Sequence, residues 1–132
     1  MVVATDGKID KSEYRRFKIR FKDTPDDVDM IYDVISRRFN RDWEHPDLLV
    51  VDGGKPQVSA AQRALEDMKV SCPVVGLAKK FETIVFKDGS SFKEINVEKN
   101  NPGLKLLIVL RDEAHRFAQS YHHLLRLKSL GV

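Results

Sequence analysis

The run Leu48-Leu49-Val50-Val51 passes straight into Asp52-Gly53-Gly54-Lys55-Pro56. Consecutive apolar residues without alternation indicate a strand covered on both faces, placed here at Asp47 to Val51. A strand buried twice needs a layer on each side of its sheet, which helices supply. Asp52 then stands at the carboxyl end of a central strand, the edge where open α/β sheets bind ligands. Two readings of this carboxylate stand. It ends the strand and hydrogen-bonds the turn, or it is held there to meet a ligand. On the second reading, Gly53 and Gly54 let the chain turn sharply and keep the adjoining space clear. Pro56 opens the next helix. Gly53-Gly54-Lys55 lacks the pattern G-x-x-x-x-G-K-[ST], so a nucleotide-binding loop is discounted.

The other elements follow from spacing. Met1 to Ala4 reads as a strand entering an Asp6-Gly7 turn, and Tyr14 to Phe21 as its partner across a long polar connection. Thr24-Pro25-Asp26-Asp27 reads as a helix start, with the apolar stripe Val28, Ile31, Tyr32, Ile35 and Phe39 behind it. Trp43 lies in the connection that follows. The helix from Pro56 carries Val58, Ala61, Leu65 and Met68. Pro73 to Ala78 is a second strand without alternation. Phe81 to Phe92 forms a hairpin around Lys87-Asp88-Gly89-Ser90. Asn101 caps a long last helix, with Pro102 in its first turn and a core stripe of Leu104, Leu107, Ile108, Ala114, Ala118, Tyr121 and Leu125. This order predicts an α/β fold, a mixed sheet flanked by helices, in one domain over 1–132.

With 42% apolar and 33% charged residues among 132, the chain has the composition of a folded soluble domain. No apolar run approaches the ~20 residues of a membrane span, so no membrane is expected, and the N-terminus is not a signal peptide. The one cysteine, Cys72, reads as a buried, inert thiol and suits a reducing cytoplasm. Net charge is +3, a lean towards an acidic partner. In Tyr14 to Lys22, Phe17, Ile19 and Phe21 alternate with Arg16, Lys18, Arg20 and Lys22, so a strand would carry four cations on one face. That face is either solvated surface or a phosphate-backbone track. Arg37, Arg38 and Arg41 form a second basic group, explained in part by the helix dipole.

Chemistry-bearing residues also gather in Arg111-Asp112-Glu113-Ala114-His115-Arg116. Asp112, His115, Gln119 and His122 share one helix line, and Arg116 is expected to reach back to Asp112. His115 and His122 stand ~10 Å apart along the axis, too far to share an ion. His45, beside Pro46, carries no signal. In Gly76-Leu77-Ala78-Lys79-Lys80, a buried strand ends in two lysines. These are either exposed strand-end cations or neighbours of Asp52 at the sheet edge.

The runs GKIDKSEYRRFKIR, DDVDMIYDVISRRFNR, PDLLVVDGGKPQVSAA, CPVVGLAKK and LRDEAHRFAQSYHH together resemble the C-terminal endonuclease domain of UvrC, a component of the bacterial nucleotide excision repair nuclease. They come in the family's order and cover nearly the whole chain. The resemblance implies an RNase H-like, metal-dependent DNA endonuclease that cuts damaged double-stranded DNA on the 5′ side of a lesion. It implies an Asp-Asp-His set around Mg²⁺ or Mn²⁺, with Asp52 as the second aspartate and His115 as the histidine. The acidic pair Asp26-Asp27 matches a further acidic position, where a helix-opening role competes with a functional one, and Lys79, Lys80, Arg116 and Tyr121 match positions close to the site. UvrB is the implied partner, through regions outside this chain. The family's first aspartate falls upstream of Met1, so the expectation is a truncated domain lacking its first strand, inactive alone and a weak metal binder. Where the family carries a basic run after Ser-Tyr-His, this chain has His123-Leu124-Leu125. Two other classes remain: a non-catalytic module binding nucleic acid or a repair partner, and an unrelated RNase H-like nuclease.

Overall fold

A computed structural model of the chain describes residues 3–5, 8–10, 27–40, 45–79 and 81–129, and the side chains of Ile9, Asp27 and residues 121–129 lie outside the description. The expected strand Tyr14 to Phe21, the basic group Arg16, Lys18, Arg20 and Lys22, and Asp26, Arg41, Trp43 and Lys80 therefore fall outside the described residues. The chain gathers into two compact units, residues 19–98 and residues 1–18 with 99–132.

The unit formed by 19–98 holds helix α1 (Asp27–Phe39), strand β3 (Leu49–Asp52), helix α2 (Lys55–Asp67) and strands β4 (Val74–Ala78), β5 (Thr83–Asp88) and β6 (Ser91–Ile95). Its sheet has the order β3-β4-β5-β6. β3 and β4 run parallel, with Asp52 beside Leu77, and the crossover between them contains α2. β4, β5 and β6 are successively antiparallel, with Ala78 beside Thr83 and Asp88 beside Ser91. The sheet is therefore mixed, as expected, and the hairpin turns where its sequence predicts, but β3, expected as a central strand, is the end strand among those described and is only half-buried along most of its length.

Parity decides what each strand residue meets. Val51, Val74 and Val85 join Val58, Ala61, Ala64 and Leu65 of α2 and Ile35 and Phe39 of α1 in one core. Asp52 and Leu77, one residue on, belong to the opposite face of the sheet. The alanines of α2 are fully buried, and their small side chains let the backbones approach closely. The middle of α1 is joined to the last residue of α2 by a hydrogen bond from the Tyr32 hydroxyl to Asp67, with the Arg63 guanidinium 5.6 Å from the Tyr32 ring centre. That hydrogen bond raises the Tyr32 pKa, since the neutral phenol is the donor. Cys72 is buried, as expected, and its thiol donates to Pro46 O at 3.5 Å. Burial pushes its pKa up. His45 packs on the Phe39 ring at 5.2 Å, a structural role.

Helix α2 ends in a turn of defined form. Val70 N–H donates to Leu65 O at 2.9 Å and Lys69 N–H to Glu66 O at 3.0 Å, while Lys69 takes φ 58°. This is a Schellman motif with lysine at the left-handed position that glycine usually holds.

The second unit contains strands β1 (Ala4–Thr5) and β2 (Lys8–Ile9) and helix α3 (Pro102–Ser129). The opening hairpin is tighter than expected. Thr5 pairs with Lys8 directly across Asp6-Gly7, so the return strand starts at Lys8 rather than across a long connection. Asn101 caps α3 as predicted, its Oδ1 accepting from Gly103 N–H at 2.9 Å and Leu104 N–H at 3.2 Å. Leu104 is buried, but Ala118, expected on the same stripe, is exposed. Over a helix roughly 40 Å long, a residue spacing of 3.6 drifts off any one line. Among the described residues, no helix is long and apolar enough to cross a membrane.

Candidate active site

β3 ends one residue later than expected, so Asp52 is its last residue rather than the first of the turn. Its carboxylate is half-buried, and the Oδ1 atom is shielded from solvent. The turn that follows is held by other groups. Gly53 N–H donates to Leu77 O at 3.1 Å, and Gly54 N–H donates to Gln57 Oε1 at 3.0 Å. Both glycine N–H groups thus have partners other than the Asp52 side chain. Helix α2 starts at Lys55, one residue before Pro56.

The two glycines do different work. Gly53 has φ 144°, a conformation that disfavours any side chain, and a Cβ there would lie 2.5 Å from Gln57 Cγ. Space is not what it provides, because Gln57 folds over it. A Cβ on Gly54 would meet nothing within 4 Å, so the open side of the turn is at Gly54. Gly76 is the third member. A Cβ on it would sit 2.5 Å from Gly53 O and 2.7 Å from Val58 Cγ2. The turn after Asp52 therefore rests directly on the β4 backbone, and the VDGG and GLAKK segments interlock there. Gln57 and Gly76 escaped the sequence reading. Gln57 supplies the glutamine half of a capping box to the Gly54 N–H, but glycine at the N-cap leaves the usual Ser, Thr, Asp or Asn signal missing. Gly76 had no local signal.

Lys79 is exposed and follows β4. Because β3 and β4 are parallel, Lys79 leaves the sheet at the same edge as Asp52. Lys55, next to the turn, lies 3.8 Å from Glu94 of β6, with both side chains more than half exposed.

His115 is half-buried on α3, in the other unit. Arg116 does not pair with Asp112 as expected. It donates from Nε to Glu113 Oε2 at 2.9 Å. Asp112 instead accepts from Arg111, at 3.1–3.2 Å, and is 64% exposed. Residues three and four back share the same helix face, so both acids were within reach of Arg116. Asp27 is the first residue of α1, and Tyr121 belongs to α3, with both side chains outside the description. The structure thus brings Asp52 and Lys79 to one sheet edge and sets Asp112, His115 and Arg116 on one helix. Among the described residues, no group of three or more His, Cys, Asp or Glu side chains gathers to hold a metal.

A family model, the UvrC RNase H endonuclease domain, matches residues 1–119. The chain belongs to this family. It is 49% identical over 128 residues to the UvrABC system protein C of Thermotoga petrophila, covering 97% of this chain and 22% of that protein. It is 45% identical over 130 residues to the protein of that name from Chlorobium chlorochromatii, covering 96% and 20%. With the protein of that name from Thermobifida fusca it shares 42% identity over 161 residues, covering 98% and 24%. The chain spans about a fifth of the length of these relatives. Its α/β fold with a mixed sheet agrees with the RNase H-like expectation for the UvrC family.

Proposed function

We propose that the chain is a divalent-metal-dependent endonuclease domain of bacterial nucleotide excision repair, hydrolysing a phosphodiester bond of damaged double-stranded DNA on the 5′ side of the lesion. The reading is carried by Asp52, a half-buried carboxylate on a rigid strand end, beside a turn that is open at Gly54. Its oxygens are the donor type that Mg²⁺ or Mn²⁺ takes. Asp52 is the residue proposed to hold the ion, and His115 is proposed as a further ligand or a proton carrier. When bound, such an ion polarises the scissile phosphate and lowers the pKa of a water nucleophile.

The chain's own residues supply the rest. The β3–β4 pairing and the Gly53–Gly76 contact hold the Asp52 carboxylate at the sheet edge. Lys79, leaving the same edge, offsets charge on the phosphate. His115 either ligates or carries a proton, and a metal titration of His115→Ala separates the two, since only a ligand changes Mn²⁺ affinity. Working with UvrB is proposed from the naming of the relatives.

The test is lesion-specific 5′ incision in the presence of UvrA, UvrB and Mg²⁺ or Mn²⁺, by the protein that carries this chain. Asp52→Ala and His115→Ala are expected to lose well over the roughly 10–100-fold that follows loss of a ligand's hydrogen-bond partner, with the 3′ cut intact. Normal 5′ incision by Asp52→Ala would sink the reading. DNA binding without any metal-dependent cleavage by the unaltered protein would leave a binding module instead.

A further inference from the structure

We infer that Phe81 is a nucleobase-stacking residue beside the candidate site, an inference that rests on the nuclease reading above. Among the described large apolar residues that are exposed, Phe81 stands out at 72%, against 51% for Val109, 44% for Leu48 and 43% for Ile95. It is also the one aromatic residue in that set. A ring this exposed contributes little to its own core.

The position decides what it meets. Phe81 lies in the loop 79–82 that joins β4 to β5, since Ala78 pairs with Thr83 on the return. The loop leaves the carboxyl end of β4, the edge that carries Asp52 on the parallel neighbour β3. Phe81 is the third residue after Ala78, so its Cα is at most ~11 Å beyond the end of β4. That distance is roughly three base steps of 3.4 Å. Lys79, exposed in the same loop, is suited to a phosphate there. The backbone beneath the ring is shaped for presentation. Phe81 N–H donates to Lys79 O at 2.9 Å, and Glu82 adopts φ 53°, a left-handed conformation that non-glycine residues take at some cost.

A flat ring next to a phosphate-binding edge fits a base that has left its stack. Damaged duplex offers such bases, because an opened step is easier to enter than a paired one. Aromatic stacking is insensitive to which base is presented, which suits an enzyme that must cut beside lesions in any sequence.

The experiment measures binding of this chain, unaltered and as Phe81→Ala, Phe81→Leu and Phe81→Trp, to a duplex with a short unpaired bubble carrying 2-aminopurine. The unaltered chain and Phe81→Trp are expected to quench the probe. Phe81→Ala and Phe81→Leu should lose the quench and bind roughly 5- to 150-fold more weakly. The slope of log affinity against log salt should stay unchanged, because no charge is removed. Thermal midpoints should stay unchanged as well, since the ring is exposed. Equal affinity and quench for Phe81→Ala would overturn the inference and leave the ring for a protein partner. A Phe81→Leu variant as good as the unaltered chain would overturn it in favour of plain apolar contact. If Asp52→Ala still incises while Phe81→Ala loses the quench, the nuclease site falls and the stacking stands. No DNA binding by the unaltered chain would overturn both.

Discussion

A methyl group on Gly76 would press on Gly53 O and Val58 Cγ2 at once, and neither backbone carbonyl nor packed valine yields easily. Gly76→Ala is therefore expected to cost about 1–3 kcal/mol, read as a lower urea midpoint, and to reduce incision by more than the lost folded fraction explains. Gly54→Ala meets open space and loses little beyond its N-cap preference, roughly half a kcal/mol; a drop in DNA affinity there reports substrate over the turn. Equal stability for the two variants would mean the turn moves freely. None of this was legible at Gly76, because the clash depends on a register joining strands far apart in sequence. The place of Asp52 at a strand end was legible, since an apolar run ending in a carboxylate is a local pattern. The partner of Arg116 was not, because Asp112 and Glu113 are both within its reach. At Cys72, burial holds the thiol pKa above its ordinary value of about 8.5. The native state then keeps its proton longer than the unfolded chain. This stabilisation is complete below the unfolded pKa and is lost as pH rises through the folded one. Denaturant midpoints between pH 7.5 and 10 should fall more steeply for the native chain than for Cys72→Ala; parallel curves would refute it.

Helices α1 and α2 were readable because their apolar residues recur at helical spacing, and the β5–β6 hairpin because Asp88-Gly89 marks its turn. Element ends were harder. The end of α2 carries Lys69 in a left-handed conformation, where glycine or asparagine would have been the signal, so nothing in the local sequence announced it. That residue also makes a prediction. A left-handed non-glycine residue costs roughly 1–2 kcal/mol, so Lys69→Gly should recover about 1 kcal/mol and raise the melting temperature by roughly 3–6 °C. The Val70 and Lys69 N–H bonds that close the motif are backbone bonds, so they survive the substitution. An unchanged or lower midpoint would show that the lysine side chain holds the turn in some other way. The order of the strands in the sheet was not legible either, because periodicity reports which face is buried and not which neighbour covers it.

For the whole molecule, sequence patterns indicated α/β layers and a mixed sheet, which the structure contains. The partition into two units was not visible, because each apolar stripe marks a buried face without saying which other stripe it meets. Their connectivity differs. Residues 19–98 form one uninterrupted unit, whereas the other joins 1–18 to 99–132. On a ribosome adding roughly 5–20 residues per second, residues 99–132 take about 2–7 s. In that interval the uninterrupted unit has every residue it needs, and elementary folding events take microseconds. Asp52 belongs to the unit made in one stretch and His115 to the unit made in two. Synthesis of residues 19–98 thus completes one unit's residues while the other, which carries His115, still waits for its second segment.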